Sequence, residues 1–305
     1  MSESGSATGT GSPTIDTAER DHMATVTPNF AGKVVFVTGL ARGQGRSHAL
    51  AFASLGADIA GVDRCEDISS VPYALGTRED LAETEARVRR LGRRAIVEVA
   101  DVRDRDRLDA VVERVLAELG RIDVVVANAG IFSVGEAETL SPAAWADVLG
   151  VNLTGVWNTI QACLPAMSEA GRGGSIVVTS SIGGLRGLLH CAHYVAAKHG
   201  VLGLVAALAN ELGPQHIRVN AVCPTNVSTP MIHNEANYAT FRPDLERPTA
   251  EDIIEPAKTM HLLSVPWVEP EDVSAAVTWL ASDAARFVTG VALPVDAGAT
   301  TKVLN

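Results

Sequence analysis

The chain has 305 residues and 47% of them are hydrophobic, enough to enclose the core of one large α/β domain or two small ones. Its formal charge of −11 excludes the basic surface that nucleic acids and anionic membranes require, and leaves a small molecule as the expected partner. The four cysteines, Cys65, Cys163, Cys191 and Cys223, are widely spaced without a C-x-x-C pair, which predicts neither a zinc ribbon nor a disulfide framework.

Residues 1–29 are rich in Ser, Gly and Thr and poor in large apolar side chains, so they predict a disordered tail ahead of one domain over 30–305. The opening lacks the apolar stretch of a secretory signal, and no later run is read as the roughly 18 apolar residues of a membrane span. The expected location is the cytoplasm, with no membrane partner.

From Lys33 onward, short apolar runs alternate with amphipathic ones. "VVFVTG", "ADIAGVD", "AIVEVADV", "DVVVANAG", "SIVVTSS", "RVNAVCP" and "GVALPVD" read as parallel strands buried on both faces. "SHALAFASLG", "DLAETEARVRRLG", "DRLDAVVERVLAELG" and "HGVLGLVAALANELG" read as helices, several closed by Gly. This alternation predicts an α/β, single-domain Rossmann fold: a doubly wound parallel sheet of about seven strands with helices on both faces. Ligands then belong at the carboxyl ends of the strands.

Between the first strand and first helix stand Gly39, Gly43 and Gly45, as a tight turn and a helix N-terminus facing a pyrophosphate would need. Asp63 follows at the end of the second strand, where a carboxylate would bind the ribose hydroxyls of NAD and repel the 2′-phosphate of NADP. Arg42 and Arg64 argue weakly the other way.

Further on, "LHCAHYVAAKHG" gathers three histidines and a cysteine around Tyr194 and Lys198. In a helix, Tyr194 and Lys198 are i and i+4 on one face, so the ammonium is expected to lower the phenol's pKa and create an acid/base pair. Ser180 and Ser181 end the strand just upstream. His190, Cys191, His193 and His199 do not converge on one point of a helix, so no metal site is expected. His190 or His193 is expected to line the substrate pocket instead.

In this order the motifs resemble the short-chain dehydrogenase/reductase family from about Gly32 to the end. The resemblance rests on Thr38-Gly39-x-x-x-Gly43-x-Gly45, Asp101-Val102, Asn128-Ala129-Gly130, Asn152, Ser181 and Tyr194-x-x-x-Lys198. It implies Tyr194 as proton-exchanging residue, Lys198 as its electrostatic partner and ribose contact, Ser181 on the substrate oxygen, and Asn152 positioning a water. It implies NAD held by Gly39, Arg42, Gly43, Gln44, Gly45, Asp63, Arg64, Asp101, Val102, Asn128, Ala129, Gly130, Tyr194, Lys198, Pro224, Val227 and Thr229. It also implies a homotetramer, because the helix through Tyr194 is apolar almost all round and must be covered on more than one side.

Three departures narrow the resemblance. Thr225 stands where the family has Gly after Pro224, which leaves the geometry of this turn open. Residues 226–267 form a long substrate lid whose Met231, Tyr238, Phe241, Met260 and Trp267 suit a hydrophobic alcohol or ketone. Residues 64–79, with Pro72 and Tyr73, form an insertion expected to cover the adenosine half of NAD. With the glycine turn and "PTNVSTPM", it resembles the branch of carveol dehydrogenase and the mycofactocin-coupled enzymes, which implies non-exchangeable NAD with mycofactocin as electron carrier. Two other readings are an exchangeable-NAD(P) reductase of 3-oxoacyl carrier thioesters and a non-catalytic dinucleotide sensor. The apolar lid argues against the first, and the Ser181, Tyr194 and Lys198 set against the second.

Overall fold

The computed structural model describes Met1 and residues 28–303, so the tail predicted over 1–29 lies almost wholly outside the described residues. Seven strands form one parallel sheet: β1 (Val34–Thr38), β2 (Asp58–Asp63), β3 (Ala95–Val99), β4 (Val124–Ala127), β5 (Gly174–Thr179), β6 (Ile217–Pro224) and β7 (Ala292–Val295). Their order is β3-β2-β1-β4-β5-β6-β7, and the order reverses between β1 and β4.

Alternate residues of the central strands enter two separate cores. Val34, Phe36, Ala60, Val62, Val125, Ile176 and Val178 face one, which the helices α3 (Arg105–Leu119), α5 (Gly155–Ala170) and α6 (Ala192–Leu212) cover. Val35, Val37, Ile59, Val124, Val126 and Val177 face the other, under α1 (Gly43–Ser54), α2 (Arg78–Arg90) and α9 (Pro270–Ala281). The remaining helices are α4 (Pro142–Leu149), α7 (Glu235–Phe241) and α8 (Ile254–Lys258), with a π-helical turn at Gly150–Thr154 between α4 and α5. β7 and β3, the two edge strands, are partly exposed and depart from the nearly continuous burial of the central strands.

α3 ends as predicted, on Gly120 in the left-handed region. α6 does not: Gly213 has helical angles, the chain tightens into a 3-10 turn, and His216 takes the left-handed conformation at φ 57°. Among the described residues one run, Ala192–Gln215, is long and apolar enough to cross a bilayer by length and composition, where none is expected from the sequence. In this fold its inward face, including Tyr194, Ala197, Lys198, Val201, Val205 and Leu208, is buried against the sheet.

α1 and α9 meet through a buried polar cluster. Ser274 Oγ lies 2.8 Å from both Ser47 Oγ and His48 Nδ1, and His48 Nε2 has no partner. Burial pushes the His48 pKa down to about 3, whereas an unfolded chain takes up this proton near 6.5. Between those values the unfolded state binds more protons, so this contribution raises stability with rising pH and is lost as pH falls below about 6.5. His48→Gln should flatten the decline of the thermal midpoint between pH 7 and pH 5, and an unchanged slope would remove His48 as its source.

Candidate active site

A cavity of about 420 Å³ opens at the carboxyl edge of the sheet, over the β1/β4 switch point. At one end α1 begins with no side-chain cap, leaving its first N–H groups free to meet an anion. The turn ahead of it depends on close approach: a Cβ on Gly45 would lie 1.9 Å from the Gly39 carbonyl oxygen, and one on Gly39 2.9 Å from Ala129 Cα. Gln44 Oε1 is buried without a partner at the start of the helix. Glycine cradle, uncapped helix and unpartnered polar atom together fit a dinucleotide pyrophosphate.

Asp63 ends β2 with its carboxylate turned back, accepting the N–H of Ala41 at 2.9 Å and of Cys65 at 3.2 Å. Burial raises its pKa against these hydrogen bonds and the nearby Arg42. Asp101 is doubly paired, with Arg64 and with Arg103 (2.7 Å). Burial alone would raise the Asp101 pKa, but the hydrogen bonds from Arg103 and Arg64 outweigh it and hold the carboxyl below its usual range.

The insertion over residues 64–79 is tied down along its length. Arg64 pairs with Asp101 at its start. Ser70 Oγ donates to Asp147 at 2.6 Å, Leu75 N–H donates to Asp67 at 2.7 Å, and Arg42 donates to the Ala74 carbonyl. Ile68 and Val71 are buried, and Ile68, Tyr73, Leu75 and Gly76 line the cavity beside Asp63. The insertion also reaches beyond the adenosine end for which it is expected, because the Phe132 N–H donates to the Tyr73 hydroxyl oxygen at 3.0 Å.

At the other end, α6 presents Tyr194 and Lys198 as its spacing predicts, with Ser181 facing them from the end of β5. Lys198 Nζ donates to the Thr179 carbonyl at 2.7 Å and stands 5.6 Å from the Tyr194 ring centroid. The expected lowering of the phenol pKa by the ammonium is outweighed by burial. Burial pushes Tyr194 up to about 12, opposed by hydrogen bonding with Ser181, and burial pushes Lys198 down to about 8. The ammonium hydrogen-bonds a carbonyl rather than the phenol, and burial of the phenol disfavours phenolate.

Asn152 occupies the π-helical turn, fully buried behind Gly130 rather than in the cavity wall. Its amide accepts the Ile131 N–H and donates to the Ile131 carbonyl, each at 2.8 Å, so the side chain braces the segment after β4.

The other expected cofactor residues line the cavity: Arg42, Gly43, Val102, Asn128, Ala129, Pro224, Val227 and Thr229. Thr225 does not disturb the turn, since its φ is not positive, and its hydroxyl lies 2.7 Å from His261 Nε2 of the lid.

The substrate expectations divide. Met231, Phe241 and Met260 line the cavity; His190, His193, Tyr238 and Trp267 do not. His193, one position before Tyr194, is rotated by the helix into the protein, where Nε2 lies 2.9 Å from Ser133 Oγ. His190 turns outward, exposed at φ 58°. Trp267 packs edge-on against His233, their ring centroids 4.7 Å apart. The apolar wall that sequence reasoning missed is Phe132, Val134, Leu188 and Leu189, from the loops after β4 and β5. Its signal was the apolar character of "GIFSVG" and "LRGLLH" directly after two strand ends.

Residues 39–300 match the family described as Enoyl-(Acyl carrier protein) reductase. The chain is 54% identical to a short-chain type dehydrogenase/reductase of Mycolicibacterium smegmatis over 89% of its length and 98% of the relative's. It is 50% identical to (−)-trans-carveol dehydrogenase of Rhodococcus erythropolis over 89% of its length and 98% of that protein's. Among solved structures, carveol dehydrogenase from Mycobacterium avium in complex with NAD superposes with a TM-score of 0.89 at 50% identity, covering 90% of this chain and 100% of that one. The protein therefore belongs to the short-chain dehydrogenase/reductase family, and it is an oxidoreductase of the alcohol dehydrogenase/reductase type.

Gly45→Ala tests the cradle. The new Cβ forces the turn open, so NAD affinity measured by calorimetry should fall by about tenfold or more, the effect of losing roughly one charge-assisted hydrogen bond. Unaltered affinity would exclude this turn as the pyrophosphate site.

Proposed function

We propose that the protein interconverts a hydrophobic secondary alcohol and its ketone with NAD, as a carveol dehydrogenase-like enzyme. The observation that carries the reading is one cavity joining the glycine cradle and Asp63 at one end to Ser181, Tyr194 and Lys198 at the other, under an apolar wall. NAD, once bound, supplies the hydride acceptor. The chain's own residues then do the rest. The uncapped start of α1 and the Gly39–Gly45 turn hold the pyrophosphate, and Asp63 accepts from the adenosine ribose while disfavouring a 2′-phosphate. Lys198 reaches the second ribose, and its charge stabilises the phenolate of Tyr194. Tyr194 Oη takes the hydroxyl proton of the alcohol, or returns it to the ketone oxygen, while Ser181 Oγ hydrogen-bonds that same oxygen. Asn152 serves by bracing Ile131. Phe132, Leu188, Met231 and Phe241 exclude water and select an apolar substrate.

The insertion and the lid stand over opposite ends of this cavity, and release of a bound dinucleotide would require loop opening. The reading therefore includes NAD retained across turnovers, with mycofactocin as the external electron carrier. It also includes cytoplasmic residence and a homotetramer. Trp145 and Trp157 are exposed on α4 and α5 beside α6, and Phe287 and Leu263 are exposed near β7, two apolar areas that subunit contact would cover.

Tyr194→Phe should abolish carveol oxidation while NAD stays bound, since only the transferable proton is lost; activity within a few-fold of the parent would sink the assignment. Protein purified without nucleotide should release NAD on denaturation, seen by mass spectrometry, and support a single turnover with substrate. Cofactor-free protein turning over freely on added NAD would reject retention and leave the dehydrogenase reading standing.

A further inference from the structure

The segment after β4 meets a different element at each step. Ile131 is clamped by Asn152, Ser133 lies 2.9 Å from His193, and the Gly135 N–H donates to the His190 carbonyl at 2.8 Å. Between these clamps stands Phe132. Its ring meets that of Tyr194 edge to face, with centroids 5.1 Å apart and an interplanar angle of 89°. Its N–H donates to the Tyr73 hydroxyl oxygen, which arrives from the cofactor-side insertion, 59 residues away in sequence.

We propose that Tyr73 is a positioning residue for Tyr194, acting through Phe132: its hydroxyl fixes the Phe132 amide, and the fixed ring closes one side of the reacting phenol. The proposal rests on Tyr194 as the proton-exchanging group. It makes the insertion more than a cover, because its seating is transmitted to the reacting end through one hydrogen bond and one ring contact.

The energetics favour this route. A buried N–H left without an acceptor is costly, and with Ile131 and Ser133 both clamped, the strain of losing Tyr73 would fall on Phe132 alone. The groups facing Tyr194 are Lys198 and Cys191 at its own helix, Ser181 from the turn after β5, Cys223 from β6, and Tyr73 from the insertion. Of these only Lys198 carries a charge near neutral pH, so the proton affinity of Tyr194 is governed chiefly by burial. Phe132 supplies part of that burial. If its ring loosens, water reaches the phenol, phenolate is less disfavoured, and the pKa falls from about 12 toward the ordinary value near 10.

The test compares Tyr73→Phe, Phe132→Leu and the double variant by two readouts. The first is the pH dependence of the single-turnover rate of (−)-trans-carveol oxidation by NAD-loaded protein. Oxidation needs phenolate, so the rate rises with pH through the Tyr194 pKa. Each single variant should move that limb toward acid by roughly half a pH unit or more, with carveol affinity changed less than about twofold in Tyr73→Phe, whose ring is kept, and the double variant should move the limb no further than Phe132→Leu alone. The second readout is ultraviolet titration of tyrosinate without cofactor, tractable because the chain has only 3 tyrosines. There Phe132→Leu should bring one high-pH transition down. Should Phe132→Leu fail to fold, Phe132→Met replaces it, and Tyr73→Phe, which keeps its ring, still stands alone. An unmoved limb in Tyr73→Phe, or shifts that add in the double variant, would overturn the coupling while an inactive Tyr194→Phe keeps the enzyme assignment intact. Full turnover in Tyr194→Phe would overturn both.

Discussion

The constraint on which this molecule depends lies where β1 and β4 part. Adjacent parallel strands satisfy each other's backbone groups, but past the switch point the chains diverge and no strand remains to pair with. Here side chains take over the hydrogen bonding. Thr38 Oγ1 accepts the N–H groups of Asn128 and Ala129, Asn128 Nδ2 donates to the Thr38 carbonyl at 3.0 Å, and Thr179 donates to Asn128 Oδ1 at 3.2 Å. One asparagine and two threonines thus bind the ends of three strands. The cavity can open directly above them without exposing unpaired backbone, and the glycine cradle on one side and Lys198 on the other inherit fixed positions.

Lys198 shows how this bracing serves chemistry. An ammonium buried with no carboxylate partner is disfavoured, and its depressed pKa of about 8 reflects that cost. Its donation to the Thr179 carbonyl, at the end of the same braced strand, partly offsets the loss of water. The charge therefore stands beside Tyr194 while its hydrogen bond goes to the strand end. Electrostatic preorganisation of this kind needs a rigid floor, which the strand ends provide.

The sheet was legible because its strands are buried on both faces: "VVFVTG" and "DVVVANAG" admit few alternatives once flanked by glycines and amphipathic runs. The placement of Gly39, Gly45, Tyr194 and Lys198 along one cavity was legible for a related reason, since it depends on spacing within one turn or one helix. The failures concern direction and long-range partnership. His193 and Tyr194 are adjacent, but a helix turns about 100° per residue, so one faces the core and the other the cavity. Tyr238 and Phe241 are three apart on α7, and only Phe241 reaches the cavity. Asn152 was recognised as a motif residue, but its placement within a π-helical turn behind Gly130 has no periodic signature. Nor could spacing pair Tyr73 with the Phe132 amide, a contact that depends on how the insertion packs Ile68 and Val71 beneath it.

The two coverings of the cavity differ in how they are tied, and the difference bears on which can move. The insertion is held by side-chain contacts to the site's own floor: Arg64 to Asp101, Ser70 to Asp147, Tyr73 to Phe132. Asp101 and Asp147 are themselves joined through Arg103, so displacing the insertion disturbs one connected network. The lid is instead pinched at its base by a parallel bridge between Val227 and Val268, and its returning arm is hung on the C-terminal segment. There the Ala297 carbonyl accepts the N–H groups of Leu262 and Leu263, and Lys302 donates to the His261 carbonyl. Its outgoing arm, from Met231 through α7, is held largely by contacts within itself, such as Asn237 to Ile232 and Asn234 to Met231. Local opening follows the region with fewest ties to the rest. The arm bearing Met231 and Phe241 therefore has fewer ties to the rest of the fold than the insertion, whose seating is shared with the Asp101 network, so of the two coverings this arm is the one the packing leaves freer to open.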